Sequence, residues 1–129
     1  MTSSGARAVV AGHGSFPEGI IAAVEQITGC GNVFIPLSNA GLSGEELEQQ
    51  LRSAAAASGA KVFFTDLPAG SATLAVRRMM RDRTDAVLVT AVNLAALLEF
   101  VFRSEMSPAD AARHAADKGR LAMSVYGDG

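Results

Sequence analysis

Tryptophan is absent from this 129-residue chain, and tyrosine and cysteine each occur once. With Cys30 alone no intramolecular disulfide forms, nothing argues for an oxidising compartment, and the residue reads as a small core or loop side chain. Two histidines and one cysteine provide no metal-ligand spacing. The formal net charge is only −2, so there is no basic field to hold nucleic acid or an anionic membrane. Long hydrophobic runs are missing too. The most apolar stretch, residues 86–102, is broken by Asn93 and Glu99 and is too short to span a bilayer. Residues 1–5 are polar with no apolar stretch of signal-peptide length behind them, so the expected location is cytoplasmic. No internal repeat or low-complexity tract occurs, apart from the helix-favouring alanines 54–57.

What is present fits one globular domain over residues 1–129, with residues 1–6 as a loose lead-in. The chain is 49% hydrophobic and 19% charged, and its length suffices for one core. Short apolar runs at 7–11, 32–37, 61–65 and 86–90 read as strands. Pro36 gives the second run an edge position or a strand end, because it has no N–H for a ladder. Helical patterns fall between the runs. The first covers Phe16–Thr28, with Pro17 in its first turn and Ile20, Ile21, Val24 and Ile27 at helix spacing. The second opens at Ser43 with Glu46 three residues on, a capping box, and runs to Ala57. The third is expected over 72–83, with an exposed arginine stripe of Arg77, Arg78, Arg81 and Arg83. A fourth follows Asn93 as its cap, with Leu94, Leu97, Leu98 and Val101 on the buried stripe. Ser107-Pro108 opens a last helix expected to reach Lys118, and residues 121–126 read as a fifth strand. Strands alternating with helices mean βαβ units: an α/β sandwich with a mainly parallel sheet covered on both faces.

Ligands in such sheets bind beyond the carboxyl ends of the strands, where strand order reverses. Three polar loops lie at such ends: residues 12–15, 66–71 and 91–93. If the order is 2-1-3-4, His13 and Asp66 face each other across the switch point. That pair suits histidine phosphorylation. An ordinary imidazole, with a pKa of about 6.5, is largely neutral near pH 7 and nucleophilic. A carboxylate accepting one ring N–H fixes the tautomer and leaves the other nitrogen free to attack. Gly14 and Ser15 at one helix start, with Gly70 and Ser71 at another, offer backbone N–H groups to phosphoryl oxygens. Each feature also has a purely structural reading. His13 and Asp66 suit turns, Asn93 suits a helix cap, and His114 suits a solvated helix face. The Gly12-His13-Gly14 turn lacks the third glycine of a dinucleotide fingerprint, and no Walker-type Gly-Lys-Ser/Thr occurs.

The residues Val9-Val10-Ala11-Gly12-His13-Gly14-Ser15-Phe16-Pro17-Glu18-Gly19-Ile20 resemble the start of the mannose-family IIA components of the bacterial phosphoenolpyruvate-dependent sugar phosphotransferase system. Residues 65–71, Thr-Asp-Leu-Pro-Ala-Gly-Ser, are similar to that family's Asp-Leu-x-Gly-Gly-Ser loop. Val92-Asn93-Leu94 with Leu97-Leu98-Glu99 is similar to a third motif. The resemblance implies that His13 takes a phosphoryl group from the phosphocarrier HPr, on Nε2, and passes it to a IIB component. IIB then serves a IIC/IID membrane permease for sugar uptake. Asp66 is then the carboxylate beside His13, with Gly70 and Ser71 part of the phosphate-holding loop, and no metal or cofactor is involved. The implied fold is a parallel sheet of order 2-1-3-4 in a homodimer that exchanges a C-terminal strand, and the permease complex offers peripheral membrane attachment. Ala69, Ala72 and Leu74 depart from the family's Gly, Pro and Asn, and Ala95 and Ala96 replace Pro and Met. The sugar is therefore left open. Other readings are a regulatory phosphotransfer module, including the dihydroxyacetone kinase phosphocarrier type, and a ligand-binding domain that is never phosphorylated.

Overall fold

The computed structural model describes residues 5–129. Of the lead-in expected over residues 1–6, the first four residues lie outside that range. Four strands, β1 (Ala8–Gly12), β2 (Phe34–Ser38), β3 (Val62–Thr65) and β4 (Val87–Val89), form one sheet in the order β2-β1-β3-β4. All three pairings are parallel, with Val10 level with Pro36 on one side and Phe64 on the other. Five helices connect and cover the strands: α1 (Phe16–Thr28), α2 (Gly44–Ser58), α3 (Ser71–Met79), α4 (Leu94–Val101) and α5 (Pro108–Ala122). The order expected from the sequence is the order observed. Among the described residues no helix is long and apolar enough to cross a membrane.

β1 is buried along its whole length, as a central strand flanked by parallel neighbours must be. Its side chains alternate between two cores. Ala8 and Val10 pack with α1, α4 and α5, while Val9 and Ala11 pack with α2 and α3. In the first core Phe34, Phe64 and Phe100 meet in an aromatic cluster, with ring centroids 5.2–6.1 Å apart. Truncating a fully buried phenylalanine of this kind costs about 3–5 kcal/mol. Pro36 lies on the edge strand β2 and is exposed, in the position its missing N–H requires. The capping box forms as read: Ser43 Oγ accepts from the Glu46 N–H at 3.1 Å, and Glu46 Oε1 accepts from the Ser43 N–H at 2.8 Å. Asn93 caps α4 by accepting from the Ala96 N–H, and its Nδ2 donates to the Gly119 carbonyl at 2.9 Å.

Three expectations are corrected, and a fourth, the strand over residues 121–126, concerns a second chain. α3 stops at Met79, not at Arg83, because the chain turns there and the Asp82 carboxylate pairs with Arg52 of α2 at 2.9 Å. Ile27 is 59% exposed, so the apolar stripe of α1 buries Val24 with Ile20 and Ile21 beside it and ends there. α5 continues past Lys118 to Ala122 and takes up the start of the expected fifth strand. Residues 123–129 form no strand in this chain, and Met123, Val125 and Tyr126 are 82–93% exposed. A strand needs a hydrogen-bonding neighbour, and those residues have found none.

Candidate functional site

β1 delivers Gly12 to the carboxyl end of the sheet, and the chain then turns before α1. Gly14 makes that turn with φ +54°, and the Phe16 N–H closes it onto the His13 carbonyl at 3.0 Å. His13 is left exposed at the tip. From the neighbouring strand β3 the chain delivers Asp66 to the same height, since Ala11 and Thr65 are register partners. The two residues meet as anticipated. Asp66 Oδ2 accepts from the His13 backbone N–H at 2.8 Å and lies 2.8 Å from His13 Nδ1.

That double contact orients the imidazole. An ionised carboxylate only accepts hydrogen bonds, so Nδ1 is the donor nitrogen and, in the neutral ring, Nε2 is the one with the lone pair. Burial pulls the Asp66 carboxyl upward, but the hydrogen bonds from the His13 N–H and ring outweigh it. Its pKa therefore lies below the ordinary carboxylate value. The side chain of Asp66 is 11% exposed and that of His13 51%, so the carboxylate is sheltered while the imidazole is open to a visitor.

Two glycines make the approach sterically feasible. A Cβ on Gly12 would stand 2.7 Å from the Asp66 carboxyl carbon, so only a residue without a side chain lets the carboxylate reach His13. Gly70, which precedes α3, has φ +113° and ψ 175°, a region open essentially to glycine alone. A Cβ there would sit 3.4 Å from His13 Cε1. Gly70 thus brings the start of α3 against the ring edge. Ser71 follows as the first residue of α3, and the first N–H groups of any helix lack intrahelical partners and carry partial positive charge. Gly14 and Ser15 stand at the start of α1, where the Ser15 hydroxyl makes no cap bond. An anion seated at Nε2 would face donors from two helix starts.

Sequence reasoning missed two supporting groups. Thr65 and Thr73, both buried, share a 2.7 Å hydrogen bond, and Thr73 Oγ1 donates to the Leu67 carbonyl at 2.6 Å. They pin the loop that holds Asp66. Asn39, just beyond β2, touches both Gly14 and Ser71. His114 is exposed on α5 and takes no part in the site. Among the described residues no three His, Cys, Asp or Glu side chains cluster as metal ligands. A cavity of about 720 Å³ lies elsewhere, between β4 and α5, lined by Val89, Ala112, Arg113, Arg120 and Met123 among others.

The family model EIIA-man, described as the PTS system fructose IIA component, matches residues 7–116. No curated protein matches the chain in sequence. Solved structures do match in fold. The phosphotransferase system component EIIA from Streptococcus agalactiae is 21% identical, with 92% of this chain and 95% of that one covered and a TM-score of 0.82. The mannose/sorbose-specific IIA subunit from Enterococcus faecalis is 16% identical, with 96% of each chain covered and a TM-score of 0.81. The IIA protein associated with the fucose utilization operon of Streptococcus pneumoniae is 21% identical, with 91% and 93% covered and a TM-score of 0.73.

Proposed function

The chain belongs to the EIIA-man family of sugar phosphotransferase IIA components, and from that premise we propose that His13 is the phosphoryl acceptor of a protein-to-protein relay. The observation that carries the reading is the 2.8 Å contact between Asp66 Oδ2 and His13 Nδ1. It supports Nδ1 as the donor nitrogen and Nε2 as the attacking one in the neutral ring, on a side chain that is 51% exposed at the carboxyl end of a parallel sheet.

The donor is HPr, carrying its phosphoryl group on an imidazole nitrogen. Nε2 of His13 attacks phosphorus in line, the P–N bond to the donor breaks, and the donor imidazole leaves with the bonding pair. As Nε2 gives up its lone pair, positive charge develops on the His13 ring, and the Asp66 carboxylate stabilises it through the Nδ1–H bond. The three phosphoryl oxygens fall to Gly14, Ser15, Gly70 and Ser71. The same carboxylate repels a phosphoryl dianion, so the product is held loosely enough to move on to IIB. IIB then phosphorylates the sugar that the IIC/IID permease carries, without any metal or cofactor in the IIA step.

The relay domain works as a homodimer in this reading. The exposed tail with Met123, Val125 and Tyr126 becomes a strand only beside another edge, and the free edge of β4 is such an edge. Light scattering on the full chain and on a chain truncated after Ala122 tests this. A dimer that dissociates on truncation is expected, and a monomeric full chain contradicts it.

Intact-protein mass after incubation with phosphoenolpyruvate, enzyme I and HPr tests the relay itself. One acid-labile phosphoryl group on the wild type and none on His13→Ala is expected. An unmodified wild type beside phosphorylated HPr would move the ligand-binding reading to the front.

A further inference from the structure

Asn39 joins three loops through one half-buried side chain. Its backbone N–H donates to the Gly12 carbonyl at 2.9 Å, which carries the β1–β2 pairing one step past the strands. Its Oδ1 accepts from the Gly14 N–H at 3.3 Å, and its Nδ2 donates to Ser71 Oγ at 3.0 Å. The amide orientation is not arbitrary. Gly14 N–H can only donate, so the carbonyl oxygen faces it and the NH₂ group faces Ser71.

A hydroxyl that accepts a hydrogen bond keeps its own proton for another partner. With Nδ2 occupying a lone pair of Ser71 Oγ, the Ser71 O–H is directed away from Asn39 and is free to donate. Gly70, immediately before it, is packed against the His13 ring. Ser71 is therefore held one residue from the Gly70–His13 contact with its proton available. The Gly14 bond is long, and a charge-assisted bond to a phosphoryl oxygen would displace it readily. Asn39 Oδ1 then returns to water at little cost, since the side chain is only half-buried.

We propose that Asn39 is a positioning residue for phosphoryl transfer: it orients the Ser71 hydroxyl as a donor to the phosphoryl oxygens and keeps the Gly14 N–H in reserve until the group arrives. The inference rests on the reading of His13 as the acceptor. It assigns a role to the loop after β2, which that reading leaves unused.

Single-turnover transfer from phosphorylated HPr, measured by quenched flow on Asn39→Ala, Asn39→Asp, Ser71→Ala and the Asn39→Ala/Ser71→Ala pair, tests it. Loss of one oriented donor to a charged group slows transfer about tenfold. Asn39→Ala and Ser71→Ala are each expected to show that loss, and the double variant is expected to be no slower than Ser71→Ala alone. Asn39→Asp keeps the acceptor for Gly14 but takes the Ser71 proton for itself, so it is expected to be at least as slow as Asn39→Ala. Unfolding midpoints within about 2 °C of the wild type separate positioning from damage to the fold. Wild-type rates in Asn39→Ala, or losses that multiply in the double variant, overturn the role of Asn39 and leave His13 as acceptor. A wild type that takes no phosphoryl group at all overturns both.

Discussion

At the β2-β1-β3 end of the sheet the loops tie one another down, whereas beyond β4 the chain leaves its apolar residues in solvent. On the first side Asp66 holds His13 twice, Asn39 bridges Gly14 and Ser71, and the Thr65–Thr73 pair anchors the Asp66 loop. On the second, β4 is three residues long with half-buried side chains, and the tail past α5 carries Val125 and Tyr126 more than nine-tenths exposed. The difference separates chemistry from assembly. In the proposed reading the His13–Asp66 site is built from the loops of one chain, while the β4 edge is where a second copy would add its strand.

Asp66→Ala attacks the tied end hardest. It removes the acceptor that selects the Nδ1–H tautomer and the charge that stabilises the developing imidazolium. Transfer from HPr to His13 is expected to fall about a hundredfold, read by quenched flow. Gly12→Ala reaches the same bond from the other side, because its Cβ would stand 2.7 Å from the carboxyl carbon and drive Asp66 off the ring. A loss of about tenfold is expected, with little change in denaturant midpoint, since the carboxylate can swing outward. A Gly12→Ala protein that transfers normally would show that the pair need not touch.

Thr73→Val tests whether the anchoring is energetic. It preserves shape but removes the 2.7 Å partner of Thr65 and the closer of the two hydroxyl donors to the Leu67 carbonyl, at a cost of about 1–3 kcal/mol in urea unfolding. Acid titration sharpens the point. The folded-state pKa of Asp66 lies below its unfolded value, so its contribution to stability is complete above the unfolded pKa and is lost as pH falls through the folded one. Asp66→Asn is expected to flatten that acidic part of the stability–pH curve.

The smallest effect lies at the loose end. Ala91, after β4, holds φ +55°, a left-handed conformation that a Cβ makes costly. Ala91→Gly is expected to stabilise the fold by about 1 kcal/mol without changing transfer. A shift in transfer rate would mean that the β4 loop belongs to the site after all.

Much of this was legible in the residues. Apolar runs and cap signals such as Ser43–Glu46 are local, so the strands and helices followed, whereas the strand order came from the resemblance to the IIA components, because spacing does not fix it. His13 and Asp66 followed from topology, because adjacent parallel strands bring their ends level. Asn39 was not legible, since its role depends on a side chain crossing two loops distant in sequence. The end of α3 was misread because the helical pattern runs on past Met79, and what stops it is a turn tied by Asp82 to another helix. The tail is a different case. Residues 121–122 extend α5, and the strand expected over 121–126 is one exchanged between two chains, which a single chain does not test.

Long-range ¹H–¹⁵N spectroscopy of the His13 imidazole, before and after phosphorylation through HPr, tests the central claim most directly. The account predicts a resting ring protonated at Nδ1 with Nε2 unprotonated, and a product with phosphorus coupled to Nε2. A resting Nε2–H tautomer, or phosphorus on Nδ1, would contradict it.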